Sequence, residues 1–185
     1  MKRFLFSVLL IFLFTTANSF VTAQSNEAVA DLSLGVSEVS LIKVSTGVVS
    51  LQLKQRDAGL SLESQTSDST TRLLISSVVS EQPRTLSARI SDGVIPPGTQ
   101  IQLSALPPNV NFVGTAGMFS NPIVLNETDN TFVTQIMTCY SGTDLSDGYP
   151  LKFSFSLDTN PTTYGSIRAT TSNSISVTIT LTEAN

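Results

Sequence analysis

The stretch Ser174-Ile175-Ser176-Val177-Thr178-Ile179-Thr180-Leu181-Thr182 alternates without a break. Ile175, Val177, Ile179 and Leu181 fall on one side of an extended chain; Ser176, Thr178, Thr180 and Thr182 fall on the other. This period of two, built from β-branched residues, predicts a strand with one buried and one wetted face. Wound at helical pitch, the four apolar residues would scatter around the cylinder and bury nothing together. A strand of this kind needs sheets to complete, and the rest of the chain has to supply them.

The beginning of the chain reads differently. Met1-Lys2-Arg3 is basic, and Phe4 to Phe14 is apolar apart from Ser7. That run is about half of the roughly 20 residues that cross a hydrocarbon core as a helix. With small residues at Val21 and Ala23, residues 1–23 are predicted to be a secretory signal peptide cleaved after Ala23, with Ala17 as the alternative. The segment has no cysteine to carry a lipid. Removal leaves residues 24–185 as one β-sandwich domain, with 24–46 as either an N-terminal extension or a first strand. It also takes Lys2 and Arg3 away, so the net charge moves from −4 to −6. With no clustered Lys or Arg to neutralise phosphates, nucleic acid is not an expected partner, and the mature chain carries no second apolar run long enough to anchor it in a membrane.

Strand follows strand along this domain. Leu32, Leu34 and Val36 alternate and then slip phase into Val39 and Leu41. Val49, Leu51 and Leu53 follow the Thr46-Gly47 turn signal, and Leu60 and Leu62 follow the turn Asp57-Ala58-Gly59. Ser64 to Thr71 is polar and predicts an exposed loop. Leu73 and Ile75, then Leu86, Ala88 and Ile90, then Ile101, Leu103 and Ala105 each alternate with polar neighbours. Between the last two lies Ile95-Pro96-Pro97-Gly98-Thr99, a stiff bend that cannot sit inside a sheet. Residues 110–120 read as irregular, Pro122 to Leu125 as a short edge strand, and Phe132 to Thr138 as a strand that leaves open which residues face inward. Leu151, Phe153, Phe155 and Leu157 alternate cleanly, and a Pro/Gly-bearing loop at 160–165 precedes the last strand. About nine strands with turns at short spacing predict an all-β antiparallel sandwich of immunoglobulin-like type, with a jelly roll as the alternative.

The chemistry available to such a chain is narrow. Histidine and tryptophan are absent and Cys139 is the sole cysteine. Without histidine the usual general base and transition-metal ligand are both missing, so no catalytic, cofactor or metal residue is assigned. The acidic loops at 127–130 (Glu127-Thr128-Asp129-Asn130) and 144–147 (Asp144-Leu145-Ser146-Asp147) hold oxygen ligands of the kind calcium takes, but neither has the spacing of a calcium loop. Asp and Asn at turns more commonly bond the local backbone. Cys139 is read as a small buried hydrophobe at a strand end, the alternative being a disulfide to a partner chain. Asn126-Glu127-Thr128 matches a glycosylation sequon.

Several pieces in order carry a resemblance. They are Thr71-Arg72-Leu73, Arg84-Thr85-Leu86-Ser87-Ala88-Arg89-Ile90, Ile95-Pro96-Pro97-Gly98-Thr99, Thr138-Cys139-Tyr140-Ser141-Gly142 and Ser176-Val177-Thr178-Ile179-Thr180. Over about residues 48–182 the chain resembles a group of small secreted bacterial β-sandwich proteins of uncharacterised function. These are distantly similar to pilin and adhesin domains of the chaperone–usher and spore-coat-U types. It departs from chaperone–usher pilins in lacking their paired cysteines and the tyrosine near the C-terminus. The resemblance implies a non-enzymatic structural protein, fimbrial-subunit-like or adhesin-like, exported to the cell surface or medium. Its expected partners are further copies, joined by strand addition, or other surface proteins. A monomeric carbohydrate-binding module is the alternative, and would bring Tyr140, Tyr149 and Tyr164 onto one surface. A hydrolase is disfavoured for want of catalytic side chains. The phase slip between Leu32–Val36 and Val39–Leu41 bears on the choice, because one strand cannot bury both stretches. Either the slip is a bulge or a strand changing sheets, or one stretch is a spare strand-former.

Overall fold

The computed structural model describes residues 29–45, 48–55, 57–170 and 173–184. The expected signal peptide, the chain up to residue 28 and the Thr46-Gly47 turn lie outside the described residues. The chain divides into two units, residues 1–35 and Val36–Asn185. In the first, residues 29–35 have no secondary structure, and Val29, Leu32 and Leu34 are exposed.

The second unit is all-β. Its strands are β1 (Val39–Val44), β2 (Gln65–Asp68), β3 (Arg72–Val78), β4 (Arg84–Asp92), β5 (Thr99–Ala105), β6 (Val113–Gly114), β7 (Met118–Phe119), β8 (Ile123–Val124), β9 (Asn130–Ile136), β10 (Cys139–Tyr140), β11 (Tyr149–Leu157) and β12 (Ser176–Glu183). One 3-10 helix, Pro161–Ser166, is capped by the Asn160 side chain, which accepts from the Thr162 N–H. The strands form two antiparallel sheets. The larger runs β6-β10-β3-β11-β5-β8, with β1 added to β3 and β2 added to β11; the smaller runs β12-β4-β9-β7. They enclose one core, to which the larger sheet gives Leu73, Ile75, Leu103, Ala105, Cys139, Tyr149 and Leu151. The smaller gives Leu86, Ala88, Ile90, Phe132, Val133 and Ile136. The expected β-sandwich is what the chain forms, in more and shorter strands than expected.

The alternation read from the sequence explains the central strands. Leu86, Ala88 and Ile90 of β4 are buried against the core and Arg89 is exposed, although Ser87 is buried too; β4 is hydrogen-bonded on both sides, to β12 and β9. The ladder with β9 shifts register twice, and Gln135 takes a positive φ of 59°. That irregularity lets adjacent residues Phe132 and Val133 both reach the core together with Ile136, which answers the question of which residues face inward. The bend at residues 94–98 leads into β5, with Thr99 Oγ1 donating to the Pro96 carbonyl at 2.6 Å.

Four expectations need correcting. Leu32–Val36 forms no strand. Val49, Leu51 and Leu53 are half-buried and alternate with exposed neighbours, yet residues 48–55 form no ladder. Alternation reports which side is covered, whereas a strand also needs a neighbour to bond. The polar stretch 64–71 is in part a strand: β2 pairs Gln65–Asp68 with Ser156–Phe153, and the main-chain ladder overrides the polar composition. The terminal strand exists, but at an edge. It pairs with β4 alone, so Val177, Ile179 and Leu181 are only half-buried rather than fully covered.

This placement sets a graded cost for truncation. Leu103→Ala, at a fully buried site, is expected to cost roughly 2–5 kcal/mol in urea denaturation, and Leu181→Ala about half of that or less. Equal costs would mean that β12 is covered in solution.

Candidate functional site: exposed strand-forming sequence and two open sheet edges

β1 and β12 are the long strands bonded on one side only. β1 pairs with β3 from Val39↔Val78 to Val44↔Leu73, and β12 with β4 from Ser176↔Asp92 to Glu183↔Arg84. Among the described residues, nothing pairs with the outer side of either. Just before β1, the apolar row continues in a segment with no ladder at all. Leu32 is 80%, Leu34 88% and Val36 89% exposed. Side chains of this size at alternate positions are the raw material of a half-buried strand, and here they bury nothing. Of the two out-of-phase stretches, Val39–Leu41 lies in β1 and Leu32–Val36 forms no ladder.

β1 is fastened at both ends. At its far end Ser45 and Arg72 exchange bonds: the Ser45 N–H donates to the Arg72 carbonyl and the Arg72 N–H donates to Ser45 Oγ, both at 2.8 Å. At its near end Glu38 takes the Ser80 N–H at 3.1 Å on Oε1 and Arg84 at 3.4 Å on Oε2. Arg84 is buried on β4 and also donates to the Val78 carbonyl at 3.4 Å. Hydrogen bonds from Ser80, then the Arg84 charge and the side chain of Glu183, hold the Glu38 carboxyl below its usual range. Glu38 thus ties the start of β1 to the smaller sheet as well as the larger. Nothing in the sequence pattern pointed to this pair, which is separated by 46 residues.

The acidic loops are occupied by donors. Asp147 is buried, and its Oδ1 accepts from Asn109 Nδ2 at 3.0 Å and Asn111 Nδ2 at 2.8 Å, while its Oδ2 accepts from the Asp144 N–H at 3.2 Å. Asp144 in turn caps the Ser146 N–H at 3.0 Å. Amide hydrogens, not further oxygens, face the carboxylate, so the loop 144–147 locks against the loop carrying Asn109 and Asn111. The side-chain bonds from Asn111 and then Asn109 hold the Asp147 carboxyl below its usual range. Gly142, at φ 95°, lies so close that a Cβ there would fall on this carboxylate. In the loop 127–130, Asn126 Oδ1 collects the Thr128 N–H, Thr128 Oγ1 and Asn130 Nδ2, and Asp129 lies 3.8 Å from Arg89. Among the described residues, no cluster of three or more His, Cys, Asp or Glu side chains is placed to hold a metal ion.

Cys139 is buried at the end of the core, and burial pushes its thiol up to about 11. Tyr149 lies wholly inside, its ring centroid 5.4 Å from that of Phe112 and 5.9 Å from that of Phe119. Its hydroxyl donates to the Ala116 carbonyl at 2.9 Å. Tyr140 and Tyr164 are exposed on β10 and the 3-10 helix, so the three tyrosines do not share a surface. Tyr164 accepts the Leu62 N–H at 3.1 Å and flanks a surface depression of about 410 Å³ with Asp158, Asn160 and Thr163. Those three side chains mostly bond one another and the local backbone. Among the described residues no helix is long and apolar enough to cross a membrane.

Comparison with family models, with curated proteins and with solved structures finds no match.

Two outcomes are expected. In the native protein Cys139 should not react with a thiol reagent, whereas one equivalent should react after denaturation; a covalent dimer on non-reducing gels, lost in Cys139→Ser, would place it at a partner instead. Asp147→Ala should lower the melting temperature at neutral pH by removing the buried acceptor that Asn109, Asn111 and the Asp144 N–H share. A carboxyl whose folded pKa lies below its unfolded value stabilises the fold above that value. The contribution of Asp147 is therefore complete above 3.8 and fades as pH falls through its lower folded value. The gap in melting temperature between wild type and variant should narrow over that acid range, and a gap independent of pH would show that the charge of Asp147 is not involved.

Proposed function

We propose that the protein is a non-enzymatic structural subunit, exported to the cell surface or medium, that joins other molecules by strand addition. The observation that supports this most directly is the segment Leu32–Val36. It has the alternation of a strand, it is exposed, and the domain already has its own first strand in β1. An extended segment added to a sheet edge gains main-chain hydrogen bonds and covers its alternate side chains at once. Further copies are the simplest acceptors, because each one carries both the segment and open edges. Export rests on the basic and apolar start of the chain, and the immunoglobulin-like arrangement of the sandwich belongs to the same proposal. A pilin-like or adhesin-like role fits a domain whose polar side chains mostly cap backbone and bond one another.

The double variant Leu32→Asp/Leu34→Asp separates the possibilities. Both sites are exposed, so the melting temperature should be unchanged, with any stability difference within about 0.5 kcal/mol. The wild-type exported chain is expected to give ladders or fibres by size exclusion and electron microscopy, and the variant to lose them. If wild type and variant are both compact monomers with the same melt, the subunit reading falls and a monomeric binding module replaces it.

A further inference from the structure

We infer that β12 pairs edge to edge with β12 of a second copy, antiparallel, about a two-fold axis through Ile179. This goes beyond the role of Leu32–Val36 and does not depend on it.

The edges of this sandwich are not alike. β6, β7 and β8 are two residues long, and β1 carries Lys43. Short strands and charges, lysine above all, are the usual devices that keep an edge from pairing with another chain. β12 has none of them over Ser176–Thr182, which holds no charge, no proline and no glycine. It is also long, and its apolar row of Val177, Ile179 and Leu181 packs against the core while remaining only half-buried.

The backbone says which groups are free. The Ala184 N–H donates to the Pro83 carbonyl at 2.8 Å, in step with the ladder from Val177↔Ile90 to Glu183↔Arg84. Main-chain groups of alternate residues in an antiparallel strand point to opposite sides. Thr178, Thr180 and Thr182 therefore bond β4, as Ala184 does, and Val177, Ile179 and Leu181 present their N–H and C=O groups at the open edge.

The sequence of the strand then selects its own copy. With the axis at Ile179, Val177 faces the partner's Leu181, Ile179 faces its equivalent, Thr178 faces the partner's Thr180, and Ser176 faces the partner's Thr182. Apolar meets apolar on the core side, and hydroxyl meets hydroxyl on the other. Leu181, Ile179 and Val177 exchange about six main-chain hydrogen bonds with their counterparts. Moving the axis to Thr180 would set Glu183 opposite Val177. Moving it to Thr178 would centre the pairing next to the irregularity between Ser176 and Val177. A shift by one residue in the pairing would face free groups with groups already bonded to β4. A two-fold contact needs only one surface, so a second copy meets every requirement without a further site. The product is one continuous sheet made from the two smaller sheets.

The test uses the geometry of the threonine pairs. Thr178 and the partner's Thr180 form a pair without main-chain bonds between them, the closer kind, at a Cα separation of about 4.5 Å, which a disulfide spans. Thr178→Cys and Thr180→Cys chains, mixed and gently oxidised, are expected to give a disulfide-linked dimer that neither gives alone. Thr178→Lys/Thr180→Lys should shift the untreated protein to a monomer that stays folded, and mixing it with Thr178→Glu/Thr180→Glu should restore a dimer. Cross-linking of Thr178→Cys with itself would overturn the axis. Cross-linking of either variant to Leu34→Cys would instead make β12 the acceptor of the N-terminal segment, and no cross-link in the mixture would overturn the pairing. A β12 dimer that survives Leu32→Asp/Leu34→Asp, with no higher assembly in the wild type, would leave this inference standing and remove only the strand-addition reading.

Discussion

The structure depends above all on β11 being hydrogen-bonded along both of its sides. One side runs the length of β5, from Leu151↔Ala105 to Leu157↔Thr99; the other meets β3 at Tyr149 and Pro150 and β2 from Phe153 to Ser156. Main-chain groups that leave water must find partners, and β11 finds them by recruiting segments of unequal quality. β3 is rich in apolar residues and β2 is not. At the head of β11, Tyr149 fills the core beneath β6 and β7 and bonds the carbonyl of Ala116. The stretch from 110 to 120 is held by this side chain together with the short ladders of β6 and β7 and the bond from Asn111 to Asp147.

How much of this could be read beforehand follows the same division. β4, β5 and the front half of β11 were legible because one face of each looks into the core and the other does not, so alternation and burial coincide. β2 was not legible, since Gln65-Thr66-Ser67-Asp68 carries no apolar signal and is a strand only because Phe153–Ser156 needs a neighbour. Residues 48–55 show the converse, with alternate side chains half-covered and no ladder. β12 was legible as a strand, but its position at an edge was not, because period two is the same at an edge and in the middle. In the candidate site, the exposed state of Leu32–Val36 was one of two outcomes that the phase slip allowed. Glu38 with Arg84, and Asn109 and Asn111 with Asp147, were invisible, since both bring together residues more than 35 positions apart.

Polar side chains do a consistent job across the molecule. Asp147, Asn126, Asn160 and Asp144 each collect neighbouring N–H or hydroxyl donors, turning loops into small hydrogen-bonded units. Among the described residues these loops are fixed by such capping. An isologous contact at β12 and a heterologous one through Leu32–Val36 would be compatible, since the first closes on itself and the second does not.

The attachment of β1 also determines how the domain bears load. Tension entering at Glu38 along the axis of β1 acts on six residue pairs with β3 in shear, so the rungs resist together instead of opening one after another. Before any rung is stressed, the pull meets the Glu38 carboxylate, held by Ser80 and Arg84. Arg84 sits on the opposite sheet, so part of the force passes across the sandwich to β4 and the core. A pull at right angles to β1 would instead peel Val39 from Val78 first. The domain is thus mechanically anisotropic at its N-terminal attachment, stiff along the strand and weak across it.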